Sequence, residues 1–82
     1  MAKAFANAVE LELAAARKKH PARHHSTHES YAVLAEEVDE FWDHVRAQKP
    51  GKLLMLRELI KIGAMAQRVA EDLELISDSP NV

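Results

Sequence analysis

The stretch STHESYAVLAEEVDEFWDHVRAQ, residues 26–48, decides how this chain folds. Ser26-Thr27-His28-Glu29 has the form of a capping box: the serine hydroxyl bonds forward to the third helical amide and the glutamate reaches back, so a helix begins here. At about 100° per residue, Tyr31, Leu34, Ala35, Val38, Phe41, Trp42 and Val45 collect on one arc, the expected core face. The opposite arc collects Glu29, Glu36, Glu40 and Asp43, with Glu37 and His44 at the border. Like charges three and four positions apart repel, so this acidic row costs helix stability unless a cation or a metal offsets it. A merely solvated acidic face is the alternative reading of the row.

Upstream, residues 2–19 contain no Gly or Pro and place Phe5, Val9, Leu13 and Ala16 in one helical stripe. Arg17-Lys18-Lys19-His20-Pro21 closes that helix, with cations at the negative end of the dipole and a proline that halts propagation. Downstream, Lys49-Pro50-Gly51 is a second break. Pro50 suits the first position of a third helix, which the sequence predicts over 50–76. The remainder, residues 77–82, has turn composition and is expected to fray. The reading is therefore all-α: a three-helix chain over about 2–19, 26–48 and 50–76, in one domain spanning 1–82. The third helix is apolar on more than one side. Met55, Leu59, Ile62, Ala66, Val69 and Leu73 form one broad stripe, while Leu53, Leu56 and Ile60 fall outside it. Three helices of this size cannot bury all of that, so a homo-oligomer is expected, a dimer or higher, with helices of two chains completing one bundle.

Composition excludes several classes. With 82 residues the chain has length for a single core. A formal net charge of −2 supplies no field to attract a nucleic-acid polymer or anionic lipid. No cysteine is present for a disulfide or thiolate site, and no apolar run approaches the roughly 18 residues of a membrane span. The cytoplasm is the expected compartment.

Chemistry gathers around the carboxylates. Glu58 lies at the edge of the third helix's apolar stripe, where an unpaired charge is expensive and a cation, a metal or a proton is needed. If helices two and three pack antiparallel through a short turn, Glu58 approaches Glu37 and Glu40. Several carboxylates converging in a bundle call for a divalent ion, and all-oxygen ligation is magnesium chemistry. A salt bridge from Glu58 to a neighbouring Lys or Arg is the simpler alternative.

Glu36-Glu37-Val38-Asp39-Glu40 resembles the EExxE signature of the MazG-like all-α nucleoside triphosphate pyrophosphohydrolases. Glu58 stands where that family places its second acidic motif, ExxD. The flanking residues 28–34, 64–68 and Asp72 look like short MazG-like proteins of phage and bacterial genomes, and the resemblance covers roughly 26–73. It implies an enzyme that takes a nucleoside triphosphate through magnesium and releases monophosphate and pyrophosphate. By position it implies Glu37, Glu40 and Glu58 as metal ligands, with Glu36 and Glu37 catalytic and Glu36 either a further ligand or the group that orients water. The family's Asp is replaced by Lys61. Two consequences are open: Lys61 bridges to Glu37 or Glu40 and fills the metal's place, or it points to the rim and binds substrate phosphate together with Arg68. The non-catalytic alternative is a protein of the same fold that works by oligomerisation or partner binding. A helical module whose acidic face binds a basic partner is a third class. His20, His24, His25 and His28 read as incidental histidines of an exposed linker, and His44 as a surface residue or a second-sphere partner.

Overall fold

The computed structural model describes residues 2–49 and 51–76, which form three helices: α1 (Ala2–Lys19), α2 (Thr27–Val45) and α3 (Lys52–Asp72). The all-α reading holds. Ser26 caps α2 as its sequence requires, its hydroxyl accepting from the Glu29 amide at 3.1 Å. The return bond lands one residue earlier than a standard box, with Glu29 accepting from the His25 amide at 2.8 Å. Helix α2 stops at Val45, short of the expected 48. Arg46 closes it, its amide bonded to Trp42 O and its guanidinium to Asp43. The expected role of Pro50 as first helical residue falls outside the described residues, as does the expected fraying of 77–82. Lys52 opens α3 behind a Gly51 cap. At the far end Glu74 adopts φ 57°, and the Leu75 amide bonds back to Ala70 O while the Glu74 amide bonds to Glu71 O. This left-handed cap ends α3 at Asp72, before the expected 76.

Helix α3 is the axis of the fold: it packs against both α1 and α2, whereas α1 and α2 do not pack on each other. Val9 lies against Gly63 and Arg17 against Glu71 and Asp72, so α1 runs parallel to α3. Glu58, near the start of α3, pairs with His44, near the end of α2, so α2 runs antiparallel to it. Gly63 permits the close approach of α1, since a Cβ there would sit 3.0 Å from Val9 Cγ2. The buried apolar residues are few: Val9, Leu13 and Ala64, with Ile60 packed beside them.

The end where α1 finishes, α2 starts and α3 finishes is tied by an ionic knot. Arg68 is 3% exposed and donates to Asp72, to the Ala16 and His20 carbonyls at the end of α1, and to Ala22 O. Asp72 accepts from Arg17 at 2.9 Å and from the His24 amide at 3.1 Å. Burial opposes the Asp72 charge, yet the Arg17, His24 and Arg68 hydrogen bonds outweigh it and hold the carboxyl down at about 2. Arg23 donates to Asp72 O at 2.6 Å, and the His24 ring shares a 2.7 Å hydrogen bond with the buried Ser30 hydroxyl. The 20–26 connection is exposed at every residue but His24, as expected of it, and is tied down by these bonds.

The expected core arc of α2 is corrected. Tyr31, Val38, Trp42 and Val45 are exposed, Leu34, Ala35 and Phe41 are half-buried, and the residues turned inward include Ser30, Glu37, Glu40 and His44. On α3, Leu59 and Ala66 are exposed and Met55, Ile62, Val69 and Leu73 only half-buried, so the broad apolar stripe lies away from the single-chain core. Among the described residues no helix is long and apolar enough to cross a membrane.

Candidate metal centre between α2 and α3

The site is built by two spacings. Glu37 and Glu40 are three apart on α2 and project to the same side. The antiparallel return of α3 then brings Glu58 opposite both. Each of the three carboxylates offers an oxygen, and these oxygens all lie within 4.8 Å of one another. Glu58 is buried, while Glu37 and Glu40 are half-buried. The second oxygen of Glu58 and that of Glu37, both Oε2, are buried with no hydrogen-bond partner. Buried carboxylate oxygens are ordinarily satisfied, so these two are acceptors left without a partner.

Lys61 and His44 complete the immediate surroundings. Lys61 Nζ stands 3.6 Å from Glu58 Oε1, and His44 Nε2 stands 3.7 Å from the same oxygen. The contact of His44 is ionic only when its ring is protonated. Burial pushes the Glu37 carboxyl above its ordinary value, the negative charge of Glu40 adds to this, and Lys61 offsets part of it. The site therefore carries excess negative charge that one ammonium does not neutralise.

Magnesium holds oxygens at about 2.1 Å, so two ligands on opposite sides of it stand roughly 4.2 Å apart. Only one pair of three ligands can stand opposite each other, so the three oxygens, which lie within 4.8 Å of one another, must draw in by side-chain adjustment to reach either magnesium or the longer calcium distances of about 2.4 Å. The donor set is all oxygen, as either ion requires.

The sequence reading grouped Glu37, Glu40 and Glu58, and the structure brings these three together. It does not bring Glu36, which is exposed and stands 100° around the helix from Glu37. Arg68 is also corrected: its guanidinium is committed to Asp72 and three carbonyls, so it has no free donor fork to offer a phosphate. Lys61 is half-buried and pairs with Glu58, where a bridge to Glu37 or Glu40 or a place at the rim was expected. It lines, with Glu37, Leu13, Ala16 and Met65, a cleft of about 280 Å³ between α1 and α2 whose floor is α3. The knot of Arg17, Arg68 and Asp72 escaped the sequence reading. Its visible signal was an Arg and an Asp four apart at the end of α3, a spacing that places both on one face.

Comparison with known proteins finds no matching family model, no matching curated protein and no matching solved structure.

Proposed function

We propose that this chain is a magnesium-dependent nucleotide pyrophosphohydrolase domain of MazG-like type, a cytoplasmic homo-oligomer converting a nucleoside triphosphate to its monophosphate and pyrophosphate. The observation that carries the reading is the trio Glu37, Glu40 and Glu58, converging from two helices with two buried oxygens left unpartnered. Glu37, Glu40 and Glu58 would hold the ion. When bound, a divalent ion supplies charge that offsets the phosphates and acidifies water at the site. Glu37 borders the adjoining cleft, and a carboxylate there can accept a proton from an attacking water and fix its direction. Lys61, which lines the same cleft, is placed to pair with a phosphate oxygen. Phosphoryl chemistry relies on positioning and charge more than on covalent participation by the protein, and these groups provide both.

A second reading has its own observation. The 3.6 Å pair between Lys61 and Glu58 occupies the position of the family's second carboxylate with a cation. In that case the ammonium closes the cluster, and the protein acts without catalysis, through oligomerisation or partner binding.

Magnesium titration by calorimetry, with and without a non-hydrolysable nucleoside triphosphate, separates the two. The enzymatic reading expects binding that is lost in Glu37→Gln and Glu40→Gln and is tightened in Lys61→Asp. Absence of binding in the wild type, with binding appearing only in Lys61→Asp, would establish the second reading. Absence in every form, with manganese and calcium included, would remove the metal centre altogether.

A further inference from the structure

The side of α2 turned away from α3 has an apolar stripe and an acidic border. At about 100° per residue, Tyr31, Val38, Trp42 and Val45 fall within about 60° of one another. Tyr31 is 74% exposed and Trp42 57%, with Val38 and Val45 exposed between and beside them. About 60° further round from Trp42, away from α3, begins a border of Asp39, Asp43, Glu36 and Glu29, all exposed. Arg46 is the one Lys or Arg on this border among the described residues, and it is bonded to Asp43. On its other flank the stripe meets the half-buried Leu34 and Phe41, which lie between it and the α3-facing Glu37 and His44.

We infer that this stripe is the docking site for an amphipathic helix of a partner protein, one that carries Lys or Arg along one flank of its apolar face. The docked helix lies along α2, its apolar positions on Tyr31, Val38, Trp42 and Val45 and its cations over Glu36 and Asp39. Three features select this occupant. The stripe's successive spacings of seven, four and three make one continuous helical seam, the pattern into which a partner helix sets its own apolar anchors. It runs for about 21 Å, the length of a helix of about 14 residues. Its border is charged on one flank only: among the described residues Glu29, Glu36 and Asp39 form no salt bridge, since the cation beside them is taken by Asp43. The partner's cations complete these carboxylates. The same charge turns away nucleic acid and anionic lipid, and a second copy meeting the stripe antiparallel about an axis near Val38 would set Asp39 beside its own equivalent. Glu37, Glu40 and Glu58 take no part, so the inference stands apart from the metal centre.

Trp42 is the chain's single tryptophan, so its emission reports on the stripe. The probe is a helical peptide of about 18 residues with leucine on one face and lysine along one flank; in the control peptide every lysine is glutamate. In magnesium-free buffer the lysine peptide is expected to shift Trp42 emission to the blue and the glutamate peptide to leave it in place. Glu36→Lys combined with Asp39→Lys is expected to weaken the lysine peptide by about tenfold or more and to admit the glutamate peptide. Val38→Ser is expected to weaken the lysine peptide about fivefold through the apolar contact alone. All three positions are exposed, and retained helical circular dichroism confirms that each variant is folded. An unmoved Trp42, or a shift equal for both peptides, overturns the proposal. So does an emission shift that grows with protein concentration alone while the mass doubles from 9.2 kDa, because a second copy then covers the stripe. Magnesium enters no arm, so failure of the metal reading and failure of this one are separately visible.

Discussion

Asp72→Asn is expected to remove a pH-dependent part of the stability that the ionic knot provides. The Asp72 carboxyl is held at about 2 against an ordinary 3.8, so the folded state prefers the charged form. That preference stabilises the fold fully above the unfolded value of 3.8 and is lost as pH falls from there through about 2. At about 1.4 kcal/mol per pH unit the difference amounts to ~2 kcal/mol at pH 7. The side chain is only 2% exposed, so solvent screening takes little from this figure. Removing the charge also leaves the buried Arg68 with one anion fewer, which raises the expected total to about 2–4 kcal/mol. A domain of this length has a total stability of about 4–12 kcal/mol, so the loss is a substantial share of the whole. Urea denaturation followed by far-ultraviolet circular dichroism, at steps from pH 7 to pH 2.5, measures the gap between wild type and variant. The gap is expected to be constant from pH 7 to about 5 and to narrow below 4. A gap under about 0.5 kcal/mol at pH 7, or one that does not narrow in acid, would refute the assignment of Asp72 as the anion that holds the three helix ends.

Two further substitutions probe other parts of the argument. Glu37→Gln in magnesium-free buffer is expected to raise the melting temperature at pH 7: the Glu37 carboxyl is pushed up by burial and by Glu40, so its charge costs stability above its folded pKa and the cost vanishes as pH falls through that value. A lower melting temperature at pH 7 would mean that the cluster is not strained by charge. Glu74→Gly is expected to stabilise by about 1 kcal/mol, because Glu74 sits at φ 57° where only glycine is unstrained. Its 3.5 Å contact with Arg23 is exposed and contributes little in return. Thermal melting that shows no gain would place the left-handed turn elsewhere.

Much of the local structure was legible in the residues. The capping serine at 26, the cationic end of α1 and the break at 49–51 are decided by local backbone chemistry, which acts over a few residues. The grouping of Glu37, Glu40 and Glu58 was also legible, because a three-residue spacing and one short antiparallel turn suffice to specify it. The rotation of each helix about its axis was not. Periodicity marks which residues share an arc, but Tyr31, Val38 and Trp42 form an apolar arc that a single chain leaves exposed. Which arc of α2 meets α3 shows in contacts between residues far apart in sequence, His44 with Glu58 above all, while Arg68 and Asp72 tie the end of α1 and the 20–24 segment to α3. The sequence by itself determined three helices, the Ser26 cap and a carboxylate trio. Only the tertiary structure decided that Arg68 is a structural clamp and that Glu36 faces solvent, because burial and hydrogen bonding depend on which partners the fold delivers to each side chain.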